Sequence, residues 1–139
     1  MGLNANLTVI SRGDFRKYPR VSPTPLAEFA LNKGWTPLEL ALRGMPKPLS
    51  LALRGDRPTL EEFEDDWDAY DAFVTPGLVR RIDVALAGIS DADLIAALKT
   101  LGFARRKREH PEYIAFFGLL KAAYREAAKR DAYLRIFIC

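Results

Sequence analysis

The sequence has a single cysteine and a single histidine in 139 residues. Cys139 therefore cannot form a disulfide within the chain, and His110 cannot belong to a metal site that needs two histidines. The nucleophile elbow, the phosphate-binding glycine loop, the dinucleotide fingerprint and the CxxC motif are also missing. A Cys139–His110 couple is disfavoured, since a nucleophile on the last residue lacks rigid support. We expect no metal and no cofactor, and no particular residue is indicated as catalytic.

Long hydrophobic runs are missing as well. No apolar stretch approaches the roughly 20 residues that a membrane span needs. The first six residues have no basic side chain ahead of the first apolar stretch, unlike a signal peptide, and Asn6 departs from the myristoylation pattern. The sequence therefore predicts a cytoplasmic protein that does not bind membranes.

The composition is that of an ordinary globular domain. Hydrophobic residues make up 49% of the chain and charged residues 28%, proportions that are atypical of disordered proteins. A length of 139 residues is close to the commonest size for one hydrophobic core. We expect a single domain over residues 1–139.

Both ends of the chain alternate between apolar and other side chains. Residues 3–9 have apolar side chains at every second position, and residues 134–138 repeat the pattern with a second face that is also partly apolar. A period of two is typical of β-strands. We expect these two segments to pair in one sheet.

The segments between these two strands contain residue patterns that are typical of helix starts and ends. A threonine stands before a proline at residues 24–25, 36–37 and 75–76, and this step favours a helix start. Capping boxes are predicted at Thr36 with Glu39, Thr59 with Glu62, and Ser90 with Asp93. Gly102 is expected to end the helix that Ser90 begins.

The longest helix is predicted to begin at Pro111, with His110 as its cap. Its apolar stripe has helical spacing and comprises Ile114, Phe117, Leu120, Tyr124 and Ala127 or Ala128.

An eight-residue sequence occurs twice. Residues 37–44 and 48–55 are identical at seven of eight positions, and the exception is Glu39 in the first copy against Ser50 in the second. Two short repeats cannot form a solenoid, which needs longer units and more of them. We expect two short helices or helical turns on one apolar wall.

The order of these predicted strands, helices and Gly or Pro positions resembles that of a known protein family. The resemblance rests on the order of five features. An early strand is followed by a Trp35 helix that ends in Leu42-Arg43-Gly44, and a second Arg-Gly step follows at 54–55. The Thr75-Pro76 helix is then followed at once by the Ser90 helix, and a His-Pro step precedes the long last helix. The chain is similar to the YfbM-like family of uncharacterised bacterial proteins, domain of unknown function 1877. The resemblance and the patterns together predict an α+β fold: a small sheet including the N- and C-terminal strands, packed against five or six helices. The family implies no reaction.

Charge is distributed unevenly along the chain. Residues 1–58 and 101–139 each have nine Lys or Arg against four Asp or Glu, whereas residues 59–100 have three against ten. The acidic side chains concentrate in residues 61–71, and apolar residues at three-and-four spacing from Leu60 to Val74 predict that this segment docks an aromatic face if it is helical. Solvated acids, a docking patch and a divalent-cation site remain alternatives, although no calcium-loop motif is present.

Residues 105–108 form a compact basic run, Arg-Arg-Lys-Arg. Such a run can be a solvated loop, a partner for the acidic stretch of the same chain, or a phosphate-neutralising surface.

The segregated charges favour a non-enzymatic protein-binding module over an enzyme. The alternatives are nucleic-acid binding through residues 105–108 and a small enzyme with carboxylate chemistry around Asp66 and Asp68. No oligomeric state is indicated. The predicted partner-binding residues are Glu61, Glu62, Asp65, Asp66, Trp67, Asp68, Arg105, Arg106, Lys107 and Arg108.

Overall fold

The computed structural model describes residues 4–32, 34–58 and 70–139. These residues form one antiparallel sheet with helices around it. The strands are β1 (Ala5–Ile10), β2 (Ala27–Asn32), β3 (Arg57–Pro58), β4 (Tyr70–Val74) and β5 (Tyr133–Ile138), in the order β2-β1-β5-β4-β3. The helices are α1 (Arg12–Lys17), α2 (Trp35–Arg43), α3 (Pro76–Ala87), α4 (Asp91–Thr100) and α5 (His110–Lys129), with short 3-10 helices at Leu49–Leu51 and Lys107–Glu109. The predicted α+β class is confirmed.

The two terminal strands are neighbours, as their alternation predicted. β1 pairs antiparallel with β5 from Ala5 opposite Ile138 to Ile10 opposite Tyr133. Asn4 and Cys139 extend the ladder by exchanging backbone hydrogen bonds of 2.8 and 3.0 Å. β5 therefore lies at the centre of the sheet and connects β1 to β4.

The two faces of the sheet have different environments. On the inner face, Leu7 of β1 and Ile136 of β5 are fully buried in the same core as Phe117 and Leu120 of α5. The outer face carries aromatic and charged side chains, and α1 packs on it. Phe15 of this helix stacks on Tyr133 with ring centres 3.8 Å apart.

Two predicted helix starts are confirmed, and a third, at Pro111, is one residue late because α5 begins at His110. α3 begins with Pro76 directly after the N-cap residue Thr75, and α4 has both hydrogen bonds of the Ser90–Asp93 capping box. Pro111 lies in the first turn of α5. The predicted stripe of α5 contributes four completely buried side chains to the core, namely Phe117, Leu120, Tyr124 and Ala127.

Other local predictions are wrong. Thr24-Pro25 does not begin a helix, because residues 27–32 pair with β1 as an edge strand. Residues 70–74 are not part of a helical stripe but form β4, in which four of five residues are buried. Pairing with β1 and β5 has overridden the local helix signals in both places.

Two predicted caps are also wrong. Thr36 does not cap α2, because the helix begins at Trp35, two residues earlier than predicted, with Gly34 at the cap position. His110 is already helical, and Glu109 holds the cap position of α5.

Both copies of the eight-residue repeat bury leucines in one core, as expected. The first copy lies mainly in α2, where Leu38 and Leu42 are buried. The second copy forms the 3-10 helix Leu49–Leu51 and the turn after it, and buries Leu49 and Leu53.

The buried hydroxyl of Tyr124 connects α5 to the second repeat. Because of its burial, we expect the protein to lose stability at alkaline pH. The hydroxyl donates to the Ala52 carbonyl oxygen at 2.6 Å, and burial raises the pKa of Tyr124 well above 10.0. Between about pH 10 and that higher pKa, the unfolded chain releases the phenol proton while the folded chain keeps it. The free energy of unfolding therefore falls as the pH rises above about 10.

Urea denaturation between about pH 9 and pH 11 checks this expectation. Tyr124→Phe should be about 1–2 kcal/mol less stable at neutral pH, because the Ala52 carbonyl loses its donor. Its stability should fall less above pH 10 than that of the unmodified chain. Parallel curves for the two proteins would show that Tyr124 does not contribute to the alkaline transition.

Candidate functional site

The basic run predicted from the sequence, hereafter the basic segment (residues 105–108), lies between α4 and α5. α4 ends in a Schellman motif directly before it. The Gly102 N–H donates to Lys99 and the Phe103 N–H donates to Leu98, at 3.0 and 2.9 Å. Gly102 has φ +89°, a conformation that glycine adopts without steric cost. This motif fixes the direction in which the chain leaves α4.

The backbone is also held around the basic segment itself. Ala104 is completely buried at φ +53°, and its carbonyl oxygen accepts a hydrogen bond from Nε2 of His110 at 2.8 Å. The 3-10 helix Lys107–Glu109 then leads directly into α5. The only histidine of the chain is therefore explained by its contact with the loop backbone.

All four side chains of the basic segment are exposed. None of them forms an ion pair or hydrogen bond with another residue of the described ranges, where seven other arginines do form ion pairs. Four adjacent cations without counterions create a concentrated positive potential. The basic segment therefore presents four exposed positive charges that are unpaired within the described residues.

The predicted acidic docking residues cannot be placed beside it. Glu61, Glu62, Asp65, Asp66, Trp67 and Asp68 lie outside the described residues, as does the predicted Thr59–Glu62 box. The expected pairing between the acidic stretch and the basic segment, and carboxylate chemistry around Asp66 and Asp68, stay predictions.

Asp71, the last acid of that stretch, is buried rather than solvated. Its carboxylate accepts two hydrogen bonds from Arg135, at 2.8 and 2.9 Å, and one from the Tyr18 hydroxyl at 3.1 Å. The Arg135 guanidinium also lies 5.3 to 5.8 Å from the ring centres of Tyr18, Phe73 and Phe137. The hydrogen bonds to Asp71 raise the pKa of Arg135. This cluster attaches α1 to the outer face of the sheet.

Glu39 is the second buried carboxylate of the described chain. It accepts hydrogen bonds from Arg43, one turn further along α2, and from Arg54 in the second repeat. Both Glu39 and Asp71 are paired with arginine, an arrangement typical of carboxylates with a structural role.

Sequence reasoning assigned no role to these two clusters. Arg54 lies 15 positions from Glu39, and Arg135 lies 64 positions from Asp71. Neither separation is marked by a local motif. The repeated Leu-Arg-Gly at 42–44 and 53–55 was the one available signal for the first cluster.

Metal and membrane sites receive no support from the described residues. Within residues 4–32, 34–58 and 70–139, no group of three or more His, Cys, Asp or Glu side chains could hold a metal ion. None of the helices in these ranges is long and apolar enough to cross a membrane. Cys139 is exposed and free.

The fold belongs to the class of α+β proteins with both terminal strands in one antiparallel sheet. One solved structure with this fold is YfbM from Escherichia coli, described as a protein of unknown function. The two chains are 15% identical and superimpose with a TM-score of 0.68 over 98% of this chain and 99% of the other. The YfbM-like resemblance is thus confirmed at the level of the fold. Models of known protein families and curated protein sequences give no match.

Proposed function

We propose that this chain is a non-enzymatic binding protein that docks an acidic patch of a partner protein on the basic segment. The observation that carries the proposal is the set of four exposed cations, unpaired within the described residues, on a loop whose backbone is held at both ends. A fixed loop presents its charges at little cost in conformational entropy on binding. Electrostatic complementarity would then speed the encounter and select the partner.

A protein suits this surface better than nucleic acid. Single-stranded nucleic acid is held by exposed aromatic rings as well as by cations. The aromatic residues nearest in sequence, Phe103 and Tyr113, are partly buried against the hydrophobic core.

The two buried carboxylates of the described residues favour a structural role over a catalytic one. Glu39 and Asp71 each form ion pairs with arginine, which gives both carboxylates a structural role. A small enzyme built on the acidic stretch remains the alternative from another class.

Affinity capture from native lysate tests the proposal with three versions of the chain. The first is unmodified, and the second carries R105Q, R106Q, K107Q and R108Q. The third removes four other exposed cations and serves as the matched control, with R16Q, K17Q, R20Q and K129Q. Retained protein and nucleic acid are both measured at low and high salt.

We expect the unmodified chain and the control to retain an acidic protein at low salt and to release it at high salt. The basic-segment variant should not retain it. Equal retention by all three versions would overturn the proposal. Retention of nucleic acid alone, lost in the basic-segment variant, would replace it with the nucleic-acid alternative.

A further inference from the structure

The two copies of the eight-residue repeat meet at one carboxylate. Arg43 and Arg54 occupy equivalent positions in the two copies, and both donate to Glu39. Glu39 is itself at the one position where the copies differ, with Ser50 as its counterpart. The repeat therefore places two equivalent arginines around a single acid.

The geometry leaves part of each guanidinium free. Arg43 donates to Oε1 of Glu39 from Nε and Nη2, at 3.1 and 2.9 Å, and its Nη2 also lies 2.8 Å from Oε2. Arg54 donates to Oε1 from Nε at 2.7 Å. Among the described residues, Nη1 of Arg43 and both Nη atoms of Arg54 have no hydrogen-bond partner.

The two arginine side chains are much more exposed to solvent than the Glu39 side chain, so a ligand can reach them. The Glu39 side chain is 7% exposed, whereas those of Arg43 and Arg54 are 51% and 46% exposed. Glu39 thus holds Nε of both arginines and Nη2 of Arg43. Nη1 of Arg43 and both Nη atoms of Arg54, on half-exposed side chains, remain unpaired among the described residues. Two guanidinium groups against one carboxylate retain one positive charge.

We infer that Arg43 and Arg54 form a binding site for a phosphate group, with Glu39 as a positioning residue. Planar guanidinium groups donate paired hydrogen bonds to phosphate oxygens. A phosphate group has more acceptor oxygens and more negative charge than a carboxylate, so it can accept from the remaining Nη atoms of both arginines at once. The site is separate in sequence from the basic segment and is independent of the protein-binding proposal.

The test is a titration with inorganic phosphate at constant ionic strength, followed through the NMR signals of the arginine Nε–H groups. The unmodified chain should show saturable shifts at Arg43 and Arg54. The variant R43K/R54K keeps both positive charges but lacks the planar guanidinium groups that donate paired hydrogen bonds. Its affinity for phosphate should be at least about tenfold weaker. The control R125K/R130K alters two arginines that each pair with another carboxylate, and its phosphate affinity should be unchanged.

Several results would overturn the inference. These are an absence of saturable shifts at Arg43 and Arg54, an unchanged affinity in R43K/R54K, and equally tight binding of acetate. The NMR shifts of the unmodified chain show whether phosphate binds at Arg43 and Arg54, even if R43K/R54K fails to fold. Phosphoserine and glycerol 3-phosphate, titrated in the same way, distinguish a phosphorylated protein from a small ester by which of them binds more tightly.

Discussion

Replacing Asp71 with asparagine is expected to lower the free energy of unfolding by about 3 kcal/mol. The Asp71 side chain is 4% exposed, and it balances the charge of Arg135, whose side chain is 24% exposed. Removal of one member of a buried ion pair leaves the other desolvated without compensation. The neutral amide would also be a weaker acceptor for Tyr18, so the attachment of α1 to the sheet should loosen.

Urea denaturation of Asp71→Asn, with Asp83→Asn as the control, measures this effect. Asp83 forms an ion pair of 3.2 Å with Arg125, whose side chain is 67% exposed. Loss of this more solvated pair should change stability by less than about 1 kcal/mol. Removing both charges in D71N/R135M should restore part of the stability lost in D71N. Equal effects of D71N and D83N would contradict the structural role of the buried pair.

Neutralising the basic segment is expected to weaken the purified complex with the captured partner about a hundredfold. Each exposed cation of a complementary surface contributes up to about 1 kcal/mol, and tenfold in affinity corresponds to about 1.4 kcal/mol. The loss should appear mainly in the association rate, because charges at the edge of an interface act on the encounter. The control substitutions at residues 16, 17, 20 and 129 should change the affinity much less.

Surface plasmon resonance at about 50 and 300 mM salt measures both rate constants. For the unmodified chain, the association rate should fall as salt rises, since ions screen exposed charges. For the R105Q/R106Q/K107Q/R108Q variant, salt should have little further effect. An affinity that is insensitive to both salt and these substitutions would exclude electrostatic docking on the basic segment.

The sequence predicted those elements whose signals are local. The strands at the two ends follow from their period of two, and α4 follows from the Ser90–Asp93 capping box and from Gly102. β2 was missed because it is an edge strand with a single fully buried residue, Leu31. β4 was missed because a short strand buried on both faces has no alternating pattern.

The same distinction applies to the functional residues. The basic segment is contiguous, so the sequence displays it completely. The Asp71–Arg135 pair exists only because β4 and β5 are adjacent in the sheet, with Asp71 opposite Phe137 and Phe73 opposite Arg135. Charges that are paired through tertiary structure cannot be distinguished from solvated charges by composition alone. Solvent exposure was therefore one of the interpretations open for Asp71 and its acidic neighbours, although Asp71 is one of the two buried charged residues of the described chain.

The most direct test of the proposed function is amide hydrogen exchange of the chain with and without its captured partner. Docking on the basic segment predicts that exchange slows in residues 103–110, and that this protection disappears at high salt together with the complex. Protection confined to other parts of the chain, with residues 103–110 unchanged in a fully formed complex, would contradict the proposed docking surface.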